Sequence, residues 1–363
     1  MRSYLVGGAV RDGLLGRHAA DRDWLVVDET HASLVAKGFK PVGQLFVTYL
    51  HPGTGEQYSL PRGLRDNAAS EREVITADLS ARDLTINAIA ISPEQEIVDP
   101  FNGRDDINAG VLRHISDAFS DDPVRILRIV RLAAELGFKI APCTATMCRD
   151  LITSGCFVPA HRHRLFNEFL RATHGPYATE CVLAMEQTGI LSWLQSSSQE
   201  HASPVRETTI ETLERLLRSG HSHSTSETAL FAAVSFTLGV DGVCTKLVPP
   251  TAYLRIAHWY SQHYLACSDP RHVPAQSLNA LLEDTRALRD DANLNCLIEA
   301  AATSADWDCE APEYMALRNT METALYAARG VTSAQIGSEL QGHALGAALR
   351  KARAKAISDA LAA

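Results

Sequence analysis

The chain lacks the cysteine pattern of a disulfide-rich or zinc-stabilised protein. Its eight cysteines are scattered through 363 residues, and no two are separated by only two residues. Disulfide frameworks belong to oxidising compartments, and structural zinc sites need closely spaced ligands. We therefore expect neither feature, and we expect the protein to reside in the reducing cytoplasm.

Long apolar runs are also missing. No run approaches the ~20 apolar residues of a membrane-spanning helix. The first residues carry no long apolar core before Arg11 and Asp12, so they do not predict a signal peptide. The sequence thus predicts no membrane partner.

The chain has no excess of positive charge. It carries 34 basic and 43 acidic residues, for a formal net charge of −9. A nucleic-acid partner therefore cannot be argued from overall charge, and any basic surface must be local. A length of 363 residues exceeds one typical core, which predicts at least two domains. The sequence does not indicate whether the protein is a monomer or an oligomer.

Strand and helix signals alternate in the first hundred or so residues and give way to helical patterns after Asp122. Apolar alternation and turn residues predict strands near residues 4–6, 23–27, 45–50 and 57–60, and sheet ends near 97–100 and 110–113. Helices are predicted over 9–15 and 30–36, whereas 62–79 give no clear signal. Polar breaks at 196–204 and 219–227 separate the later helices, and a terminal helix runs from 349 to 363. This order predicts an α+β protein.

Gly7 and Gly8 end the first predicted strand and begin a helix. Glycine lets backbone N–H groups approach a phosphate closely, and a helix N-terminus favours negative charge. Arg11, on the first turn of that helix, is placed to reach a phosphate oxygen. A purely structural turn is the more common explanation of such glycines taken alone.

Asp21 and Asp23 are separated by one residue at the start of the second predicted strand. Residues i and i+2 of a strand face the same side, so the two carboxylates project together and Arg22 points away. Adjacent carboxylates suit Mg²⁺, which prefers oxygen ligands and binds substrate phosphates. The alternative is a solvated strand edge, but the preceding glycine turn favours a metal site.

Together these residues resemble a known family. The similarity extends over several ordered motifs, at residues 6–12, 14–16, 21–24, 82–88, 99–103, 112–114 and 121–131. They look like the class II tRNA nucleotidyltransferases, which comprise the bacterial CCA-adding enzymes and the related poly(A) polymerases. The resemblance fades after about residue 190.

The resemblance implies a role for each matching residue. Asp21 and Asp23 would be the catalytic ligands of Mg²⁺. Nucleotide contacts are implied for Gly8, Arg11, Arg82, Asp83, Asp122, Arg125, Arg128 and Arg131. Among these, Asp83 would help to select ribose, and Asp122 with Arg125 would recognise the Watson–Crick edge of CTP or ATP. The spacing of 122, 125 and 128 independently predicts one polar stripe on a helix, although a solvated Asp–Arg pair fits that spacing equally well.

The fold implied is an N-terminal nucleotidyltransferase palm with a small mixed sheet, followed by an all-helical neck, body and tail. We place the head at 1–115, the neck at 116–195, and the body and tail, which would bind tRNA, at 196–363. The implied activity is template-independent addition of the 3′-terminal CCA to tRNA from CTP and ATP, with release of pyrophosphate. Addition of CC alone, poly(A) synthesis and an inactive RNA-binding homologue remain open.

Two departures from the family pattern affect the catalytic region. Gln57 takes the place of a third acidic residue, and alternation along the strand turns Glu56 to the opposite side. Residues 63–80 are shorter than the family's flexible loop, whose shortening accompanies CC-only addition.

Two further departures lie in the helical region. His163 replaces the first glutamate of a helical motif that continues with Arg164 and Glu168. Phe236 and Thr237 stand where other members carry a His-Asp metal pair, so we expect no phosphohydrolase activity. Candidate tRNA-binding residues there are Arg162, Arg164, Arg171, Arg350, Lys351, Arg353 and Lys355.

Overall fold

The computed structural model describes residues 1–19, 21–43, 47–62, 70–155, 162–195, 206–336 and 340–363. The chain divides into two compact units, Met1–Pro159 and Ala160–Ala363. The first unit mixes strands and helices, whereas the described elements of the second are helical. The predicted α+β class is confirmed.

A seven-stranded mixed sheet forms the first part of the first unit. Its strands are β1 (Ser3–Val6), β2 (Asp23–Val26), β3 (Lys40–Val42), β4 (Thr48–Leu50), β5 (Gln57–Ser59), β6 (Ala90–Ile91) and β7 (Ile97–Val98). They lie in the order β3-β4-β5-β2-β1-β6-β7. β2 and β5 run parallel, and the other neighbours run antiparallel. Of the strand predicted over 45–50, Thr48–Leu50 is confirmed, and 45 and 46 lie outside the described residues.

Three helices accompany this sheet: α1 (Gly8–Leu14), α2 (His31–Ala36) and α3 (Glu71–Ser80). Alternate strand residues enter two separate cores. Tyr4, Val6 and Leu25 pack in a cluster that includes Ile75 and Leu79 of α3. The other cluster is formed by Val26, Leu34, Phe39, Tyr49 and Tyr58. The start of β2 therefore carries Asp23 on the α3 side of the sheet.

Helix α3 covers the second half of residues 62–79, for which the sequence predicts no element, and it lies within the segment 63–80 that corresponds to the family's flexible loop. Ser70 precedes it as the N-cap, and its Oγ accepts a hydrogen bond from the Glu73 amide at 3.4 Å. The Glu73 carboxylate accepts one from the Ser70 amide at 2.7 Å. This capping box is visible in the sequence and would have predicted the helix start. Residues 63–69 lie outside the described part of the chain.

The first unit continues with α4 (Gly103–Ala109), β8 (Val111–Leu112), α5 (Val124–Leu136), β9 (Lys139–Ile140) and α6 (Pro142–Thr153). β8 and β9 form a parallel pair. β8 lies within the sheet end predicted near 110–113, whereas β9 interrupts the helical pattern expected after Asp122. The expectation that Asp122 begins the helical stripe is wrong. Asp122 has φ −128° and ψ 101°, because the proline at 123 disfavours helical geometry in the residue before it.

The second unit contains twelve α-helices among the described residues. They are α7 (Arg162–Thr173), α8 (Ala178–Thr188), α9 (Ile190–Leu194), α10 (Arg206–Ser222), α11 (Glu227–Leu238), α12 (Val240–Leu247), α13 (Thr251–Gln262), α14 (Tyr264–Ser268), α15 (Ala275–Asp284), α16 (Ala292–Ala305), α17 (Pro312–Arg329) and α18 (Gly342–Ala362). The first predicted break lies outside the described residues, and the second is confined to 223–226. The terminal helix begins earlier than predicted.

No single helix of the described chain has the length and apolar composition needed to cross a membrane. Among the described helices, one bent pair, α11 and α12 at 117° to each other, meets that requirement when the two helices are taken together. Most residues of α11 are buried inside the helical unit.

Candidate active site

The turn between β1 and α1 brings Gly7 close to two charged side chains. Gly7 adopts φ +75°, a conformation that favours glycine. A Cβ atom at this position would lie 3.1 Å from Nη1 of Arg82 and 3.8 Å from Oδ2 of Asp23. The glycine turn, Arg82 and Asp23 therefore meet at one place, although they are far apart in sequence.

The two predicted catalytic aspartates lie at the entrance to β2. The strand begins at Asp23, so Asp21 lies in a bend just before it and not within the strand as predicted. Partial burial raises the pKa of the Asp23 carboxyl, and the charge of Asp21 raises it further against the opposing charge of Arg82. The two carboxylates therefore share one electrostatic environment.

Gln57 lies beside this pair. It is the register partner of Asp23 in the parallel β2–β5 ladder, and such partners share a face of the sheet. Glu56 faces the other side, as alternation predicts: it accepts a hydrogen bond from Trp24 Nε1 at 3.3 Å and lies 4.0 Å from Arg22 Nη1. Gln57 therefore offers an amide oxygen on the same side as the Asp23 carboxylate, which the charge of Asp21 also reaches.

These donors suit a hard divalent cation. Carboxylate and amide oxygens are ligands that Mg²⁺ accepts, and Mg²⁺ commonly binds through one or two carboxylates plus substrate phosphates. No group of three or more His, Cys, Asp or Glu side chains within the described ranges is arranged to hold a metal. The assignment of Asp21 and Asp23 as ligands of a metal ion therefore stays a prediction.

Asp78 holds Arg82 in place. Its Oδ2 accepts hydrogen bonds from Nη2 and Nε of Arg82 at 3.1 and 3.3 Å, and its Oδ1 accepts one from the Arg62 amide at 3.0 Å. Asp78 is only 1% exposed. The sequence reasoning did not single it out, because its i, i+4 relation to Arg82 becomes evident only once α3 is known.

Arg11 lies over the start of α1. Its guanidinium pairs with Asp12, with Nη2 2.8 Å from Oδ1, and a Cβ on Gly8 would lie 3.4 Å from Nη2. Nη1 donates to Oδ1 of Asn87 at 2.8 Å. The structure therefore places two of the predicted nucleotide contacts, Gly8 and Arg11, side by side.

Asp83 is buried and fully engaged. Its Oδ1 accepts hydrogen bonds from Asn87 Nδ2 at 3.0 Å and the Leu84 amide at 2.8 Å, and its Oδ2 accepts one from Arg128 Nη1 at 3.0 Å. Burial alone would raise its pKa, but the charge of Arg128 and these hydrogen bonds lower the pKa to about 2. In this geometry Asp83 positions Arg128, and its contact with ribose stays a prediction.

The remaining predicted nucleotide contacts belong to α5 or lie just before it. Arg125 donates to the carbonyl oxygens of Ala118 and Ala81 at 2.8 and 3.0 Å, which ties α5 to the residue preceding Arg82. Oδ1 of Asp122 accepts a hydrogen bond from the Val124 amide at 3.2 Å. Arg131 pairs with Glu135 along the helix at 2.5 Å.

The motif at residues 99–103 is a structural clamp. The Asp99 carboxylate accepts hydrogen bonds from the amides of Gly103 and Arg104, at 2.7 and 3.0 Å, and so caps α4. A Cβ on Gly103 would lie 2.2 Å from the carbonyl oxygen of Thr85. Only glycine permits this approach, which fixes the short helix Thr85–Asn87 beneath the site.

In the second unit, aromatic packing surrounds the position of the missing His-Asp pair. The ring of Phe236 stacks on Tyr264 at 4.3 Å between centroids and meets Tyr260 at 5.5 Å. The hydroxyl of Thr237 donates to the carbonyl oxygen of Ala233 at 3.0 Å. These two residues therefore contribute apolar packing and a helix-internal hydrogen bond.

Comparisons with known proteins show which proteins this chain is similar to. Residues 54–113 match the family described as the poly A polymerase head domain. The chain is 32% identical to the multifunctional CCA protein of Methylococcus capsulatus, covering 98% of this chain and 94% of that protein. The corresponding protein of Nitrosococcus oceani is also 32% identical, over 99% of both chains.

Solved structures show the same fold. A CCA-adding enzyme in complex with CTP superposes with a TM-score of 0.68 at 22% identity, covering 98% of this chain and 87% of that one. The Thermotoga maritima CCA-adding enzyme complexed with tRNA gives a TM-score of 0.65 at 20% identity, covering 99% and 91%. The full-length similarity to curated relatives shows that the chain belongs to the class II family of CCA-adding enzymes and poly(A) polymerases.

Proposed function

We propose that the chain is a tRNA nucleotidyltransferase that adds the 3′-terminal CCA from CTP and ATP and releases pyrophosphate. The observation that carries this is the meeting of Gly7, Arg82 and the Asp21–Asp23 pair at one end of the sheet. Relatives that the chain matches over nearly its full length are named for CCA synthesis. Related structures are complexes with CTP, ATP and tRNA.

Asp21 and Asp23 would hold Mg²⁺, with Gln57 beside them. A bound ion would neutralise the charge that develops on the phosphates, and it would activate the 3′-hydroxyl of the tRNA for attack. The protein side chains supply positioning and further positive charge, which carry most of the catalysis in phosphoryl and nucleotidyl transfer. Arg82, fixed by Asp78, faces the same point as Asp23 and would contact the triphosphate. Arg11 and the amide groups that begin α1 would contact its other phosphates.

Nucleotide selection would involve the region that leads into α5. We propose that Asp122 and Arg125 recognise the base, because a carboxylate and a guanidinium together present acceptors and donors to a Watson–Crick edge. Arg125 is anchored by two backbone carbonyl groups, which restricts its orientation. Asp83, Arg128 and Arg131 would complete the nucleotide pocket.

The tRNA would also contact the helical unit. Arg350, Lys351 and Lys355 are exposed along a groove of about 840 Å³ between α15 and α18. Arg353 and Arg162 are less available to RNA phosphates, because each already has a protein partner. Nη1 of Arg353 pairs with Glu283 at 3.3 Å, and Arg162 donates to the carbonyl oxygen of Thr245 at 2.9 Å. We therefore assign phosphate contacts first to the three exposed residues.

Three narrower proposals accompany this function. We propose that residues 1–115 form the catalytic head, residues 116–195 the neck, and residues 196–363 the body and tail. The aromatic packing of Phe236 favours a helical body without phosphohydrolase activity. The cysteines of the described chain are free thiols, which fits residence in the cytoplasm.

Primer extension tests the proposed activity and its alternatives. Purified enzyme, Mg²⁺ and labelled CTP are supplied with tRNA lacking CCA, and ATP is supplied with tRNA ending in CC. Full CCA synthesis gives one added A on the second substrate. No extension there indicates CC-only addition, and long tails indicate a poly(A) polymerase. Asp21→Ala should abolish incorporation, and activity retained by that variant contradicts the assigned site.

An inactive RNA-binding homologue is tested separately by calorimetry. The proposed enzyme should bind CTP in a Mg²⁺-dependent manner, and Asp21→Ala should weaken that dependence. A protein that binds tRNA but shows no Mg²⁺-dependent CTP binding would be an inactive homologue.

A further inference from the structure

Asn87 joins two charged pairs that come from different parts of the first unit. Its Oδ1 accepts a hydrogen bond from Arg11 Nη1 at 2.8 Å, and its Nδ2 donates one to Asp83 Oδ1 at 3.0 Å. Arg11 is itself paired with Asp12, and Asp83 with Arg128. The side chains thus form a continuous chain from α1 through the short helix Thr85–Asn87 to α5.

The chemistry at this junction requires an amide. A guanidinium can only donate hydrogen bonds, and an ionised carboxylate can only accept them. An asparagine side chain offers an acceptor and a donor at a fixed separation, so one residue satisfies both neighbours. The neighbours also fix its orientation, since the opposite placement of oxygen and nitrogen would oppose donor to donor and acceptor to acceptor.

The two charged residues that Asn87 joins are shielded from water. Arg11 is 8% exposed and Asp83 is 6% exposed. Hydrogen bonds to charged groups are strong in such surroundings, and a partner left without one is strongly penalised. A change at Asn87 therefore disturbs Arg11 and Asp83 together.

We infer that Asn87 is a positioning residue that couples Arg11, on the triphosphate side, to Asp83 and Arg128, on the side of the nucleotide-selecting helix. The inference rests on the proposed function for the identity of the ligand. Asn87 acts through these residues, so it governs how well the nucleotide is bound and leaves tRNA binding unchanged. Removing it should act on CTP and ATP alike, because both share the triphosphate and ribose.

Asn87→Leu tests this inference, because leucine has a similar size but neither donates nor accepts. We expect the KM for CTP and for ATP to rise about tenfold or more, as expected for lost hydrogen bonds to charged groups. The KM for tRNA and the kcat should change less than about threefold. A purely structural defect lowers the folded fraction, which reduces kcat and leaves the nucleotide KM unchanged.

Thr85→Val is the matched control. Thr85 belongs to the same short helix, is 3% exposed, and donates to Asp106 Oδ2 at 2.7 Å, away from the junction. It should lower the melting temperature without raising the nucleotide KM. An equal rise in nucleotide KM in both variants would overturn the inference.

A double-mutant cycle supplies the decisive measurement. If Asn87 acts through Arg11, Asn87→Leu should weaken CTP binding far less in an Arg11→Lys background than in the wild type. Arg11→Lys and Thr85→Val should combine additively. Additive losses for Asn87→Leu and Arg11→Lys would contradict the coupling.

CTP affinity is measured by calorimetry as well as through activity, so failure of the proposed activity remains distinguishable from failure of the coupling. If Asn87→Leu does not fold, Asn87→Asp is measured by the same criteria. It keeps the acceptor for Arg11 but loses the donor to Asp83.

Discussion

The two compact units bury polar side chains of different kinds. In the first unit the buried set includes Arg11, Asp78, Asp83 and Asp106. In the described part of the second unit it consists of hydroxyl groups, one asparagine and one histidine, such as Ser235, Asn279 and His263. Buried charges are expensive unless they are paired and hydrogen-bonded.

The difference indicates where the chain carries its chemistry. The charged side chains inside the first unit belong to, or hold in place, the motifs that resemble nucleotide-binding residues. In the described part of the helical unit, several arginines and lysines, such as Arg350, Lys351 and Lys355, lie at the surface, where they contribute to electrostatic attraction and little to stability. Disturbing the first unit should therefore affect activity and stability strongly, and disturbing the second should affect mainly RNA affinity.

Asp23→Asn should give the largest effect. Loss of one of two carboxylates at the metal site should reduce nucleotide incorporation by about a thousandfold or more. The melting temperature should stay level or rise, because the repulsion between Asp21 and Asp23 is relieved. Asp241→Asn, at an exposed position of α12, is the control and should change neither property. Substantial activity in Asp23→Asn would contradict the proposal that the first unit carries the chemistry.

A methyl group on one glycine of each unit compares their rigidity. Gly103→Ala should destabilise the first unit by about 3 kcal/mol or more, because the new atom meets a backbone oxygen. Gly220→Ala should cost less, about 1 kcal/mol, because the atoms that the new methyl group meets belong to the Leu230 side chain and not to the backbone. Urea unfolding followed by circular dichroism measures both. Equal losses in the free energy of unfolding would show that the two units accommodate an added methyl group equally well.

Acid should weaken the first unit through Asp83. The pKa of this carboxyl is about 2 in the fold, below its ordinary value of 3.8. Its stabilising contribution is therefore fully present above about pH 4, is lost as the pH falls toward 2, and amounts to about 2 kcal/mol. Asp83→Asn should lack this loss. If both proteins lose the same stability between pH 4 and pH 2, Asp83 does not carry it.

Surface charge in the helical unit should give the smallest effect on stability. Replacing Lys351 and Lys355 with alanine should change the free energy of unfolding by less than about 0.5 kcal/mol. Affinity for tRNA should fall severalfold and become less dependent on salt, because fewer phosphates are neutralised. Arg289→Ala, an exposed change elsewhere in the unit, is the control. Unchanged affinity and salt dependence would exclude this groove from tRNA binding.

Local patterns predicted the framework of the catalytic region. Alternation identified β1, β2 and β5, and the two glycines identified the turn before α1. The same alternation correctly separated Glu56 from the catalytic face. These features depend on neighbours within a few residues, so a single sequence carries them.

Features that depend on several segments could not be predicted. Asp78 and Asn87 act on Arg82, Arg11 and Asp83 only after folding brings α3, the short helix Thr85–Asn87 and α1 together. The strands β3, β6 and β9 were not predicted, because each has only two or three residues and apolar alternation cannot be recognised over so short a segment. The helical placement of Asp122 failed although the following proline argued against it.

The chain of contacts through Asn87 also limits how sequences of this kind can change over time. Arg11, Asn87, Asp83 and Arg128 are hydrogen-bonded one to the next, so a single replacement removes a hydrogen bond from a charged neighbour. A neutral route must therefore change two neighbours together, and such coordinated changes are rare. These positions should evolve as one unit, whereas the exposed lysines of α18 are free to change one at a time.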